Sequence, residues 1–143
     1  MKKLLSILLA VVMLAAFAAC RNTATTTDAA KTYSAAVIAD DGTIEIGQGS
    51  KEISFTVVSL DGTEKKFLVK TDKETVGDAL VEADIIAGEE SEYGLYVKTV
   101  DGTTLDYNTH GKYWAFYVDG ELSMTGVDST AIEEGRVYTF KAE

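Results

Sequence analysis

The chain has 143 residues and a formal net charge of −10, from 13 basic and 23 acidic side chains. This charge argues against nucleic acid, whose phosphates need a basic patch, and against electrostatic adhesion to anionic lipid headgroups. Cys20 is the only cysteine, which excludes an internal disulfide. The stability of any folded domain must therefore come from its core.

The first twenty residues have the order of a bacterial export signal. Lys2 and Lys3 precede an apolar stretch, residues 4–19, interrupted only by Ser6, that ends in small residues directly before Cys20. Residues 17–20, Phe-Ala-Ala-Cys, resemble the lipobox of bacterial lipoproteins, where the chain is cut before the cysteine.

This resemblance predicts a signal peptide over residues 1–19 and lipidation of Cys20. It places the protein on the extracytoplasmic face of the cell membrane, with the membrane as a partner through the lipid. Two alternatives are an ordinary cleaved signal peptide and an uncleaved anchor helix, although the apolar stretch is marginal for the ~20 residues that a span needs.

Residues 20–36 are rich in Thr and Ala and lack apolar periodicity. This composition predicts a flexible tether with a root-mean-square reach of about 20 Å. Residues 37–143 then have the length of one domain and are too few for two.

Four Asp-Gly pairs divide this domain. They are Asp41-Gly42, Asp61-Gly62, Asp101-Gly102 and Asp119-Gly120. Asp-Gly between apolar alternations predicts a hairpin with a type I′ turn, because both central residues of that turn need positive φ.

Alternation and β-forming residues predict five strands. They centre on residues 53–58, 67–69, 93–100, 112–118 and 136–142. One short amphipathic helix is predicted, with Thr75 as its N-cap, Asp78 as the capping partner and an end near Asp84. The fold class is therefore α+β: a small β-grasp-like domain, with a mostly antiparallel sheet and one short helix packed on it.

Residues 113–120, YWAFYVDG, carry aromatic side chains on both faces of one predicted strand. Trp114 and Phe116 share one face, and Tyr113 and Tyr117 share the other. The strand is either a central one whose first face packs under the helix, or an aromatic platform for a ligand.

From about Ile53 onward the chain resembles the DUF4430 family, which is similar to the C-terminal β-domain of transcobalamin and intrinsic factor. The matching segments are 75–80 (TVGDAL), 93–94 (YG), 111–114 (GKYW), 119–120 (DG), 126–128 (GVD), 134–135 (EG) and 138–140 (YTF). The resemblance makes residues 37–143 a transcobalamin-like domain.

What the resemblance implies is an exported binding module whose ligand is a corrinoid such as cobalamin. The ligand-binding residues would be Tyr113, Trp114, Tyr117, Gly126 and Val127. No separate cofactor is expected. The alternative is a surface protein-interaction module that assists another exported protein or a membrane transporter, without a small ligand.

Catalysis is not expected. His110 is the only histidine and lies in a predicted solvated loop, so no zinc site or nucleophile–base pair can be assembled. The adjacent acids Glu89-Glu90 and Glu133-Glu134 are also expected in solvated loops. The sequence therefore predicts a protein that is not an enzyme, with no metal site.

Overall fold

A computed structural model describes residues 31–143. The predicted signal peptide, the predicted lipidation site Cys20 and most of the predicted tether lie outside the described residues. The predicted domain boundary at residue 37 falls inside them, and Tyr33 already contacts the domain. Its ring meets Phe67 edge-on at 5.5 Å, and its hydroxyl donates a hydrogen bond to Asp101 at 2.7 Å. Burial, and then this hydrogen bond, raise the pKa of Tyr33.

Residues 31–143 form ten strands and two short α-helices. The strands are β1 Val37–Ile38, β2 Ile44–Gly47, β3 Lys51–Val58, β4 Glu64–Thr71, β5 Ile86–Ser91, β6 Gly94–Val100, β7 Thr103–Thr104, β8 Trp114–Val118, β9 Glu121–Leu122 and β10 Val137–Ala142. The helices are α1 Val76–Glu82 and α2 Tyr107–His110, and Val127–Ser129 form one turn of 3₁₀-helix.

Seven strands form the main sheet, in the order β1-β2-β4-β3-β10-β8-β9. The β3–β4 hairpin is antiparallel, whereas the last strand, β10, enters between β3 and β8 and runs parallel to β3. The pair β2–β4 is also parallel, and the other neighbours are antiparallel. This ββαβ arrangement confirms the predicted α+β, β-grasp-like fold.

The helix α1 begins and ends close to the predicted residues. The Thr75 hydroxyl accepts a hydrogen bond from the backbone N–H of Asp78 at 3.2 Å, as the capping pattern predicts. The chain leaves the helix at Asp84, whose φ of 55° is left-handed. Val76, Ala79 and Leu80 are buried on the side of α1 that faces the core.

The core lies between α1 and one face of the main sheet. Its aromatic part is a contiguous cluster in which Phe140 contacts Phe116 at 5.1 Å and Phe55 at 6.1 Å between ring centroids. Tyr138 is fully buried beside them. Its hydroxyl accepts a hydrogen bond from the N–H of Glu133 at 3.0 Å and donates one to the carbonyl of Ala131 at 3.3 Å.

The Asp-Gly turns divide into two types. Asp101-Gly102 and Asp119-Gly120 have positive φ at both residues, as a type I′ turn requires. At Asp41-Gly42 and Asp61-Gly62 only the glycine has positive φ, so the type I′ prediction is wrong there. Each of these two aspartates instead accepts a hydrogen bond from the backbone N–H of the threonine two residues later, which stabilises an ordinary turn followed by a left-handed glycine.

A second sheet has the order β5-β6-β7. It contains Glu89 and Glu90, which pair with Tyr96 and Leu95 of β6, so the prediction that these acids lie in a loop is wrong. A strand with two glutamates and a glycine lacks the β-forming residues that a sequence pattern depends on. The exposed His110 ends the short helix α2, where its Nδ1 accepts a hydrogen bond from the N–H of Asp106 at 3.1 Å.

The Tyr138 hydroxyl offers a test of this core. In Tyr138→Phe the N–H of Glu133 and the carbonyl of Ala131 lose their partner. We expect the free energy of unfolding to fall by about 1–2 kcal/mol, the cost of leaving partly buried polar groups unsatisfied. Urea denaturation followed by circular dichroism would measure it. Tyr107→Phe, at a tyrosine that is 61% exposed, is the control and should change stability little.

Candidate ligand-binding groove

The two faces of β8 have different surroundings. Trp114 is 6% exposed, belongs to the hydrophobic core, and donates a hydrogen bond from Nε1 to the carbonyl of Thr103 at 3.2 Å. Tyr113 and Tyr117 are on the opposite, outer face, where both hydroxyls donate to the carboxylate of Glu143, at 3.3 and 2.7 Å. This bond raises the pKa of Tyr117.

The structure therefore does not bring the five predicted ligand-binding residues together. Trp114 and Val127 are core residues, because side chains of a strand alternate between its faces and Val127 packs inward at 2% exposure. The face of β8 that carries Trp114 and Phe116 lies in the core, and the face that carries Tyr113 and Tyr117 does not. Assignment of Tyr113, Tyr117 and Gly126 to a ligand stays a prediction.

A groove of about 700 Å³ lies between α1, the β5–β6 hairpin and the loop that contains Gly126. Its walls include Gly77 and Val81 of α1, Gly88 and Glu90 of β5, Leu95 of β6, and Asp128. A smaller hollow of about 370 Å³ shares Glu90 and Leu95 and continues to Tyr93 at the hairpin tip. The two hollows adjoin at these shared residues and are together called the groove below.

Three glycines surround Asp128 at one end of the groove. A Cβ on Gly94, which has φ +101°, would lie 2.4 Å from Oδ2 of Asp128, and a Cβ on Gly126 would lie 2.7 Å from Oδ1. A Cβ on Gly77 of α1 would lie 2.6 Å from the Cα of Asp128. Only residues without a side chain allow the backbone and carboxylate of Asp128 to occupy this position.

One oxygen of the Asp128 carboxylate has no hydrogen-bond partner within residues 31–143. This atom, Oδ1, is buried. A buried polar atom without a partner costs about 1–3 kcal/mol, and more when the group is charged. Because an ionised carboxylate only accepts hydrogen bonds, the group that would satisfy it is an N–H donor or a cation.

Two large side chains stand out from the same end of the groove. Tyr93 is 91% exposed and Met124 is 95% exposed. They belong to adjacent loops, because a Cβ on Gly126, two residues after Met124, would lie 3.8 Å from the carbonyl oxygen of Tyr93. Exposed apolar surface beside a concavity is typical of a binding site.

The hydrogen bonds of these loops fix their backbones. The Ser91 hydroxyl donates to the carbonyl of Gly94 at 2.6 Å, and the Thr130 hydroxyl donates to the carbonyl of Gly126 at 2.8 Å. The side chains of Tyr93 and Met124 are thus presented on constrained loops, which lowers the entropy that a ligand must overcome.

The groove is acidic. Glu82 pairs with Lys73 at 3.5 Å and Asp84 with Lys31 at 2.8 Å, whereas Asp78, Glu90 and Asp128 have no ion-pair partner among residues 31–143. Across those residues, no group of three or more His, Cys, Asp or Glu side chains is placed to hold a metal ion.

Residues 73–143 match the family described as Domain of unknown function (DUF4430). A crystal structure from Ruminococcus gnavus ATCC 29149, described as a putative metal binding protein, is 32% identical with a TM-score of 0.62. The match covers 66% of this chain and 97% of that one. The chain belongs to the DUF4430 family.

A second structure extends the likeness of fold. Haptocorrin in complex with Cbi superposes with a TM-score of 0.52 at 19% identity, over 65% of this chain and 25% of haptocorrin. The predicted likeness to the transcobalamin group of carriers is thereby confirmed at the level of the fold. Both structures are described as binding proteins or complexes. No curated protein matches the chain.

The DUF4430 match includes every groove residue named above. Tyr93, Met124 and Asp128 were nevertheless not predicted as site residues, because the aromatic strand at residues 113–118 has the stronger local pattern. The available signals were the YG and GVD segments, in which a glycine adjoins Tyr93 and another precedes Asp128 by two residues. A glycine with positive φ beside an exposed aromatic residue indicates a backbone shaped for close contact.

Asp128 and Gly94 give a paired test of the strain in the groove. Asp128→Ala removes the unsatisfied carboxylate. We expect the resulting gain in stability to exceed the ~0.3–1 kcal/mol that is lost when a negative charge near the start of α1 is removed. We expect the free energy of unfolding to rise by about 1 kcal/mol. Gly94→Ala should lower it, through both the positive φ and the collision with Asp128.

Urea denaturation at pH 7 would measure both changes. A loss of stability in Asp128→Ala would mean that the carboxylate stabilises the native state and would contradict the assignment of strain.

Proposed function

We propose that this DUF4430 protein is a lipid-anchored binding module on the outer face of the cell membrane, and that a small ligand of the corrinoid class occupies its groove. The observation that carries the proposal is Asp128: an acceptor-only carboxylate, unsatisfied in the protein, in the wall of a groove with exposed Tyr93 and Met124 at one end. An arrangement that destabilises the free protein is expected where a bound ligand supplies the missing interaction.

The dimensions and chemistry of the groove support a corrinoid. The larger hollow of the groove, about 700 Å³, lies within the ~300–1,000 Å³ of small-molecule sites. The periphery of a corrinoid carries primary amides, whose N–H groups can donate to Asp128, and its ring offers a broad surface for Tyr93 and Met124. Haptocorrin, of similar fold, is described in complex with Cbi.

The groove is open, so one module covers one side of a corrinoid. Sites that bind tightly bury most of the ligand surface. We therefore expect dissociation constants in the micromolar range rather than the nanomolar range.

Titration of the protein with cobinamide and with cobalamin, followed by calorimetry, tests the ligand. Tyr93→Ala and Met124→Ala should each weaken binding about fivefold to thirtyfold, from the loss of ~1–2 kcal/mol of apolar contact. Tyr107→Ala removes an exposed tyrosine from α2 and serves as the control. Asp128→Asn should also weaken binding, since half of its acceptor capacity is replaced by a donor.

Calorimetric silence up to a millimolar concentration of both corrinoids would reject the ligand class. Equal effects of the Tyr93, Met124 and Tyr107 substitutions would locate binding outside the groove.

The proposed anchor is lipid on Cys20. Two acyl chains on one residue give stable attachment where a single chain is marginal. In the part of the chain that the structure covers, no helix has both the length and the apolar character to cross a bilayer.

The anchor predicts a simple labelling result. Metabolic labelling with a palmitate analogue should mark the unsubstituted protein, and Cys20→Ser should abolish the label, because the acceptor of the lipid is lost. An unsubstituted protein that is unlabelled, or a variant that is still labelled, would overturn the lipoprotein assignment.

A further inference from the structure

We propose that the open edge of β5 binds an extended, basic segment of a partner protein as an added strand. β5 is the outermost strand of its sheet, paired to β6 on one side, and no other strand among residues 31–143 pairs with its second side. An edge strand directs half of its backbone N–H and C=O groups outward, where they can pair with another chain.

The edge is accessible along nearly its whole length. Ile86 is buried, but residues 87–91 are all exposed. Five residues of an antiparallel strand span about 17 Å, enough for two or three hydrogen-bonded pairs with an added segment. The irregularity between Ala87 and Gly88 confines regular pairing to the part of the strand near the hairpin tip.

The groove runs beside this edge and would receive the side chains of the segment. Its lining from Ile86 to Glu90 comes from β5 itself, and α1 forms the facing wall. Val81 of α1 is 48% exposed and Leu95 lines both hollows, so the aliphatic stems of long side chains on the groove side of an added strand would find apolar contacts.

The acidic side chains of the groove favour a basic segment as the occupant. Asp78 and Glu90 line the groove without an ion-pair partner among the described residues, as does Asp128. A second copy of this chain would bring Glu90 close to its own counterpart, and the formal charge of −10 adds long-range repulsion. A segment with Lys or Arg at alternate positions would instead place its cations on the side of these acids and would be steered to the edge from a distance.

This inference is independent of the corrinoid proposal, because it rests on the backbone of β5 and on Glu90 and Asp78. The two occupants are related by position, since an added strand would fill part of the groove. We therefore expect the segment and a groove-bound corrinoid to exclude one another.

A peptide of twelve alternating Lys and Val residues, blocked at both ends and fluorescently labelled, is the probe. Its binding to the full-length protein is measured by fluorescence anisotropy. Two further peptides carry N-methyl groups on all lysines or on all valines. In an extended strand these two sets of N–H groups lie on opposite edges, so methylation of the set that faces β5 should weaken binding about tenfold or more, and methylation of the other set should leave it within about twofold.

Charge-reversal variants test the location. Glu90→Lys should weaken binding of the unmodified peptide about tenfold, through repulsion of its lysines. Glu121→Lys, on the exposed strand β9, makes the same change in net charge and should leave binding within about twofold.

Each of these measurements has an outcome that would contradict the proposal. Equal affinities of the two methylated peptides would mean that charge alone attracts the probe, and equal effects of the Glu90 and Glu121 variants would place it away from β5. Either outcome, or no binding of the unmodified peptide, overturns the proposal without bearing on the corrinoid titration. Binding of cobinamide that is unaffected by saturating peptide would overturn their mutual exclusion.

Discussion

The parallel pairing of β10 with β3 is the contact on which the rest of the domain depends. It joins the last strand to the β3–β4 hairpin, across more than eighty residues of sequence, in the register Tyr138 to Phe55 and Phe140 to Val57. This register turns Tyr138 and Phe140 towards α1 and makes β10 the template on which β8 pairs. Because shifting a strand by one residue would turn these rings to solvent, the core tolerates a single arrangement.

That arrangement also positions the groove. α1 packs on the main sheet, the β5–β6 hairpin leaves directly after it, and the segment from Gly126 to Asp128 returns against Gly77 of α1. The groove is the space that these three pieces leave between them. Its residues come from segments up to fifty positions apart, so its shape depends on glycines that permit close approach more than on any one motif.

Local patterns predicted the main elements well, but they did not indicate the residues of the groove. Alternating Ile53, Phe55 and Val57 and the cap at Thr75 are signals within a few residues, and β3 and α1 were found where those signals predict them. β5 was missed because its glutamates and glycine give no such signal. Trp114 was predicted at a ligand because an aromatic strand is compatible with a core or with a platform, and only the packing of Phe116 and Phe140 beneath α1 decides between them. The strain at Asp128 involves two glycines distant in sequence, which no local pattern reveals.

The contact of Tyr33 with Asp101 fixes where the chain leaves the domain towards the N-terminus. Lys31 pairs with Asp84, just after α1, so the chain towards the N-terminus departs from the end of the domain where β5 begins. The tip of the β5–β6 hairpin lies a strand length away, about 20 Å. These two contacts fix the point at which residues 31–33 leave the domain, at the opposite end of the β5–β6 hairpin from Tyr93. In a chain held to a membrane by its N-terminus, as proposed, the connection to the anchor would therefore not cover the end of the groove at Tyr93.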